Sequence, residues 1–164
     1  MDLLDVFLIL ATFLCSLVAG FLFAFAIVVM VGIGTLDDRG FLRAFQVMDR
    51  VIQNNQPVFV GLWAGSVIAL IGAVLAGFRV LGGGDWWLLF SVMLVYLLGV
   101  QLTTFTINVP LNNRLQRLDL NALDDARLQR ERADFETPWV RWNMSRTVWS
   151  SLVSLSLILI TLRL

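Results

Sequence analysis

The run VFLILATFLCSLVAGFLFAFAIVVMVGIGTL, residues Val6 to Leu36, contains no charged side chain. A helix needs about 20 apolar residues to cross a hydrocarbon layer of about 30 Å. This run exceeds that length, so it tilts or projects beyond the layer. Three further apolar windows open at Pro57, Trp86 and near Pro138, the last of them carrying Arg141 and Arg146. Spans are expected at about 6–34, 57–78, 86–108 and 139–162, within a single transmembrane domain covering residues 1–164. The expected fold class is all-α: an integral membrane four-helix bundle with short cytoplasmic amphipathic helices in its two long loops.

Composition agrees. Hydrophobic residues make up 59% of the 164 and charged residues 15%, and the mean hydropathy is +0.83. Soluble chains run at about 45–50% apolar and about 25% charged, so an independent soluble enzyme is excluded. A formal net charge of zero leaves no basic field for nucleic acid. One cysteine, Cys15, excludes a disulfide framework, and the absence of histidine removes imidazole ligands and the usual neutral-pH proton shuttle. No metal, haem or flavin cofactor is expected, because a Gly-rich nucleotide fingerprint is missing as well.

Arginine placement orients the chain, which has no lysine. Arg39, Arg43 and Arg50 lie between spans one and two. Arg114, Arg117, Arg127, Arg130, Arg132 and Arg141 lie between spans three and four or at the edge of span four. Only Arg79 and Arg163 fall on the other side. The positive-inside rule then puts both long loops in the cytoplasm and both termini outside, in a bacterial inner membrane. The acidic opening Met1-Asp2-Leu3-Leu4-Asp5 does not suit a cleaved signal peptide, so the first helix is expected to be kept.

Both loops read as partly helical. Phe41, Phe45, Met48 and Ile52 recur at helical spacing, with Arg43, Gln46, Arg50 and Gln53 on another face, as in an interfacial helix. In the second loop Asn121 is placed to cap a helix in which Arg127 pairs with Glu131. That helix is expected to stop by Thr137, which then caps span four with Pro138 at its first position. In span two, Gly61-x-x-x-Gly65 allows close helix approach, either within the bundle or in a homodimer.

Span three carries Gln101, Thr104, Asn108 and Asn112 on one face. A buried unpaired amide costs roughly 2–7 kcal/mol in an apolar medium, so this face should meet protein or a wet pocket. Pro110 lies within it and cannot donate to the carbonyl of Thr106. On span four, Trp139, Asn143 and Arg146 share one face, and Trp142, Arg146 and Trp149 an overlapping one. The sixteen residues between Arg146 and Arg163 cover about 24 Å, less than the hydrocarbon thickness. Arg146 is therefore expected inside, meeting Asn108 or carbonyls near Pro110. An arginine at such depth marks a functional site by default.

Asn108-Val109-Pro110-Leu111-Asn112-Asn113, together with Trp142-Asn143-x-x-Arg146, resembles the anthrone oxygenase-like family of small membrane proteins. Ala19-Gly20-Phe21 and Phe45-Gln46-Val47-Met48 are similar too, while Val29-Met30-Val31-Gly32 stands where relatives often carry a proline. The resemblance implies an oxidation by dioxygen that needs no cofactor. An anthrone has an acidic methylene whose anion reacts with dioxygen directly. On that reading Arg146, Asn108 and Asn143 are catalytic and hold the oxyanion, while Trp142, Trp149, Asn112 and Gln101 bind a flat phenolic or anthrone-like substrate. The base would be Asp49 or water. The alternative is a non-catalytic scaffold or accessory subunit of a larger membrane complex, in which the same polar residues lock the bundle. A transporter is disfavoured by the lack of an evident inverted repeat. Expected partners are the lipid bilayer, a small aromatic substrate, and a second copy or a larger complex.

Overall fold

A computed structural model describes residues 1–164, and every regular element in it is helical. Helix α1 covers Leu3–Ile33, α2 Asp38–Gln53, α3 Pro57–Gly77, α4 Gly83–Gln116 and α5 Asp125–Arg163. A single 3₁₀ turn, Leu120–Ala122, separates α4 from α5. All but α2 are long and apolar enough to cross a membrane. Their outward faces carry Phe13, Phe23, Ile68, Leu75, Leu98, Phe105, Leu152 and Leu159, an apolar surface that suits lipid and not water.

Helix ends follow ordinary capping chemistry. Asp2 and Asp5 form a reciprocal capping box on α1, Asp37 caps α2, and Gln56 caps α3 ahead of Pro57. Asp124, and not Asn121, caps α5 by accepting from the Arg127 N–H at 2.8 Å. Asn121 instead accepts from Arg43. Arg127 does pair with Glu131, at 2.9 Å, and Arg114 reaches the same buried carboxylate at 2.7 Å.

The expected break at Thr137 does not occur. Helix α5 runs unbroken through Pro138 for 39 residues, about 58 Å at 1.5 Å per residue. An internal proline removes one ladder hydrogen bond, but the residues on both sides of it are anchored. Phe135 and Trp139 are buried, and each packs edge-on against Phe45 of α2, with ring centroids 4.6 and 5.1 Å apart. Helix α4 likewise passes the expected limit at residue 108 and continues to Gln116. Before Pro110 it widens into π-helical turns at Tyr96–Leu102 and Thr104–Asn108, where the Val109 N–H reaches the Thr104 carbonyl.

Two hydrophobic clusters result. The larger joins α1, α3, α4 and α5 through residues such as Leu8, Cys15, Leu70, Ala73, Tyr96 and Leu157. The smaller comprises Met30, Phe41, Leu42, Phe45, Leu115, Leu120, Leu128, Phe135 and Trp139, and it fastens α2 across the loop-side ends of the long helices. Gln46 was placed on the polar face of α2 but is buried. Its amide donates to the Leu115 and Leu118 carbonyls at 2.8 and 3.1 Å, and so caps the C-terminal end of α4. Opposite this assembly, Arg163 pairs with Asp85 at 3.1 Å beside the α3–α4 turn.

Close helix approach falls elsewhere than Gly61, whose Cβ position is open. A Cβ on Gly99 would lie 2.9 Å from Cγ and 3.2 Å from Cβ of Trp149, atoms at the root of that side chain. Gly99→Ala should therefore destabilise by about 1–3 kcal/mol through overpacking. Gly61→Ala should show no loss. Thermal unfolding of both variants in the same detergent checks the contrast.

Candidate functional site

Where the two clusters meet, α1, α2, α3, α4 and α5 enclose a cleft of about 760 Å³, including its open mouth. Its walls are largely aromatic: Phe21 and Phe25 from α1, Phe45 from α2, Phe59 and Trp63 from α3, Phe105 from α4, Trp139 from α5. Phe59 stacks on Trp63 with centroids 5.3 Å apart, and Trp139 stands edge-on to Phe45. The polar atoms are gathered in two groups.

The first group surrounds Arg146. Its guanidinium is buried, donating to Thr104 Oγ1 at 2.8 Å and to Asn143 Oδ1 at 3.0 Å, and lying 6.0 Å from the Trp139 ring centroid. No carboxylate pairs with it. Asn143 in turn donates to the Leu22 carbonyl, which ties α5 to α1. Two buried polar atoms here have no partner at all, Arg146 Nε and Asn108 Oδ1. Buried polar atoms in proteins are nearly always satisfied, so an unmet donor and an unmet acceptor lining one cleft suit a polar ligand.

Arg146 thus points inward, but it meets Thr104 and Asn143 and not Asn108. Helices α4 and α5 run antiparallel, and Thr104 lies level with Arg146. Asn108 is one turn nearer the loops, level with Trp139, whose carbonyl its amide reaches at 3.4 Å. The widened turn Thr104–Asn108 brings both side chains to the cleft. Such π-helical insertions recur at functional sites.

The second group centres on Asp49, brought in by α2. Oδ1 accepts from Asn112 at 2.8 Å, and Oδ2 accepts from Gln53 at 2.7 Å and Gln116 at 2.9 Å. Asn112 also accepts from the Trp139 indole N–H at 2.8 Å, which links the two groups. Burial pushes the Asp49 carboxyl above its usual range, opposed by hydrogen bonds from Gln116, Gln53 and Asn112.

Several residues expected at the site are elsewhere. Gln101 accepts from Trp63 Nε1 at 2.7 Å and supports the wall without lining it. Trp149 is exposed and covers Gly99 on the outer surface, and Trp142 is half-buried without reaching the cleft. Both lie off the Trp139–Asn143–Arg146 face, which is the buried one. Asn108, Asn112, Asn143 and Arg146 do line the cleft. Asp49, expected only as one of two alternatives for the base, lines the cleft because it follows Phe45 by one turn on the buried face of α2. No group of three Cys, Asp or Glu side chains comes together as a metal site would require.

The chain is thus all-helical, with four helices long and apolar enough to cross a membrane and an aromatic cleft lined by an arginine that has no ion-pair partner. Residues 45–156, more than half of the chain, match the anthrone oxygenase family, and the chain belongs to it. The matched segment contains Asp49, Asn108, Asn112, Trp139, Asn143 and Arg146. No curated protein and no solved structure matches the chain.

The raised pKa of Asp49 has a consequence for stability. The folded state holds this proton more tightly than the unfolded state does. Its contribution is therefore present at low pH and is lost as pH rises from the ordinary carboxylate range through the raised value. Unfolding measured across that window should lose part of its pH dependence in Asp49→Asn.

Proposed function

We propose that this protein oxidises a flat phenolic or anthrone-like substrate with dioxygen, without a cofactor, in an aromatic cleft of a membrane-embedded four-helix bundle. The observation that carries the reading is Arg146, a buried guanidinium with neutral partners only, lining a cleft of aromatic rings. Loss of a methylene proton from an anthrone moves negative charge onto the ketone oxygen. Arginine offers five donors in a fixed fork, two of which Thr104 and Asn143 occupy through Nη1 and Nη2. The free Nε–H is suited to the developing oxyanion, and in a site shielded from water that stabilisation is large. Asn143 and Thr104 hold the guanidinium in place. Asn108 offers its unpaired carbonyl oxygen to a substrate hydroxyl. The rings of Trp139, Phe45, Trp63 and Phe59 supply flat apolar walls.

In the same reading the loops bearing α2 and the start of α5 are cytoplasmic and both termini lie outside, by the arginine bias. Counted back from Arg163, Arg146 lies about 25 Å along α5 and Trp139 about 36 Å. A hydrocarbon layer of about 30 Å then places the cleft at its cytoplasmic edge. Asp125→Cys and a cysteine added after Leu164, each in a Cys15→Ala background, should label from opposite sides of sealed vesicles.

The decisive assay is oxygen uptake by the purified protein with a panel of anthrones and related phenols. Wild type should consume oxygen and form the quinone. Arg146→Ala should lose turnover by about 10²-fold or more, the scale on which losing an oxyanion donor acts. Arg146→Met should lose it equally while unfolding at no lower a temperature, because a buried charge without a counter-ion does not stabilise a fold. A scaffold or accessory subunit would instead lose stability in both variants and consume no oxygen in wild type.

A further inference from the structure

We infer that Asp49 is the general base of this site, taking the methylene proton from the substrate at the pole of the cleft opposite Arg146. The inference rests on the oxygenase reading and supplies its missing group. Asp49 is the one carboxylate lining the cleft. It does not belong to any of the long helices. The amphipathic helix α2 carries it in, and the packing of Phe41, Leu42 and Phe45 fixes that helix.

The surroundings of this carboxylate suit a base better than a structural anion. Structural buried carboxylates pair with cations, as Glu131 does here with Arg114 and Arg127. Asp49 has no cation partner and is held by the amides of Asn112, Gln53 and Gln116. Neutral donors orient a carboxylate without quenching its basicity as an ion pair would. They use three of about four lone-pair positions, leaving one for a substrate C–H. Burial works in the same direction, holding the carboxyl above its usual range.

Asn112, which holds Asp49, and Thr104, which holds Arg146, are eight residues apart on α4, about 12 Å along the helix. In an anthrone the acidic methylene and the ketone lie across the central ring from one another. A base and an oxyanion donor serving that skeleton must stand at opposite ends of a flat cavity, and Asp49 and Arg146 form no ion pair across this one. The steps balance as follows. The C–H bond breaks, the proton goes to an Asp49 oxygen, and the electron pair spreads through the ring to the ketone oxygen at Arg146. Dioxygen takes up these electrons one at a time, the C–O bond closes, and the peroxide anion recovers the proton from Asp49. The second methylene proton then passes to Asp49 while the O–O bond breaks and the new carbonyl forms. The departing hydroxide takes that proton as water. The sum is one anthrone and one dioxygen giving one quinone and one water.

The test separates the base from the oxidation. Wild-type protein in detergent and anthrone, incubated in D₂O without oxygen, should exchange the methylene protons at least tenfold faster than a protein-free control, read by NMR. Asp49→Asn should fall to the control rate while still binding anthraquinone, followed by quenching of tryptophan fluorescence. Wild-type exchange no faster than the control overturns the inference, as does unchanged exchange in an Asp49→Asn protein that binds. If Asp49→Asn does not fold, Asp49→Glu decides. Moving the acceptor by one methylene should slow exchange by about 10–100-fold, since misplacement by about 1 Å has effects of that order, and an unchanged rate overturns the inference. Exchange that depends on Asp49 without oxygen uptake in air would keep the base and sink the oxygenase reading. Oxygen uptake with exchange indifferent to Asp49 would do the reverse.

Discussion

Arg146 carries a full charge among apolar helices with two neutral oxygens as its protein acceptors. A charge at such a position is costly by at least about 2.5–3.5 kcal/mol on insertion scales, so the surrounding chain has to satisfy it or leave it to a ligand. Much of the local architecture answers that demand. Thr104 turns its hydroxyl oxygen to the guanidinium while giving its own proton to the Val100 carbonyl at 2.7 Å. Asn143 accepts from Arg146 and spends its amide on Leu22 of α1. Three helices are thus joined through one side chain, yet Nε is left over. A protein selected for stability alone would place a methionine or leucine there.

The cleft exists because α4 and α5 run on past the length that a bilayer crossing needs. Helix α5 carries Phe135 and Trp139 beyond the depth of Arg146, and α2 lies against both. Without that continuation through Pro138, Phe45 of α2 would lose the two aromatic rings it packs on. The smaller cluster is therefore the element that closes the site. It also explains the ion pairs around Glu131, which fix the loop-side end of α5 against α4 through Arg114.

The spans were legible in the sequence because length without charge is a sufficient signal in lipid, where every backbone group must be satisfied within the helix. Helix limits were less legible. Pro138 reads as a start signal, but tertiary packing of its two aromatic neighbours outweighs the lost hydrogen bond. The polar face of α4 and the Trp139–Asn143–Arg146 face of α5 followed from helical spacing alone. Pairing between them did not, since spacing says nothing about the relative height of two antiparallel helices. Hence Thr104, and not Asn108, receives the guanidinium. Trp149 and Trp142 lie three and four positions from Arg146, yet both fall on the flank of the buried Trp139–Asn143–Arg146 face and turn outward. Asp49 was legible only as one of two alternatives for the base, because α2 reads as a surface element, although Phe45 one turn before it marks the buried side.

The widened turns of α4 also bear on how this chain tolerates change in length. A π-helical turn is in effect one residue inserted into an α-helix. Deleting a single residue within Thr104–Asn108 would let ordinary α geometry close up. The two halves of α4 would keep their relative facing, because the widened turn already takes up the extra residue's rotation of about 100°. Asn112, whose carbonyl takes the Trp139 indole proton and whose amide holds Asp49, would stay on the cleft, while the side chains inside the closed turn would shift. A gap of one residue in this short segment would therefore be absorbed by the helix and felt at the site: a chain still able to fold and insert, with Thr104 and Asn108 no longer both presented to the cleft.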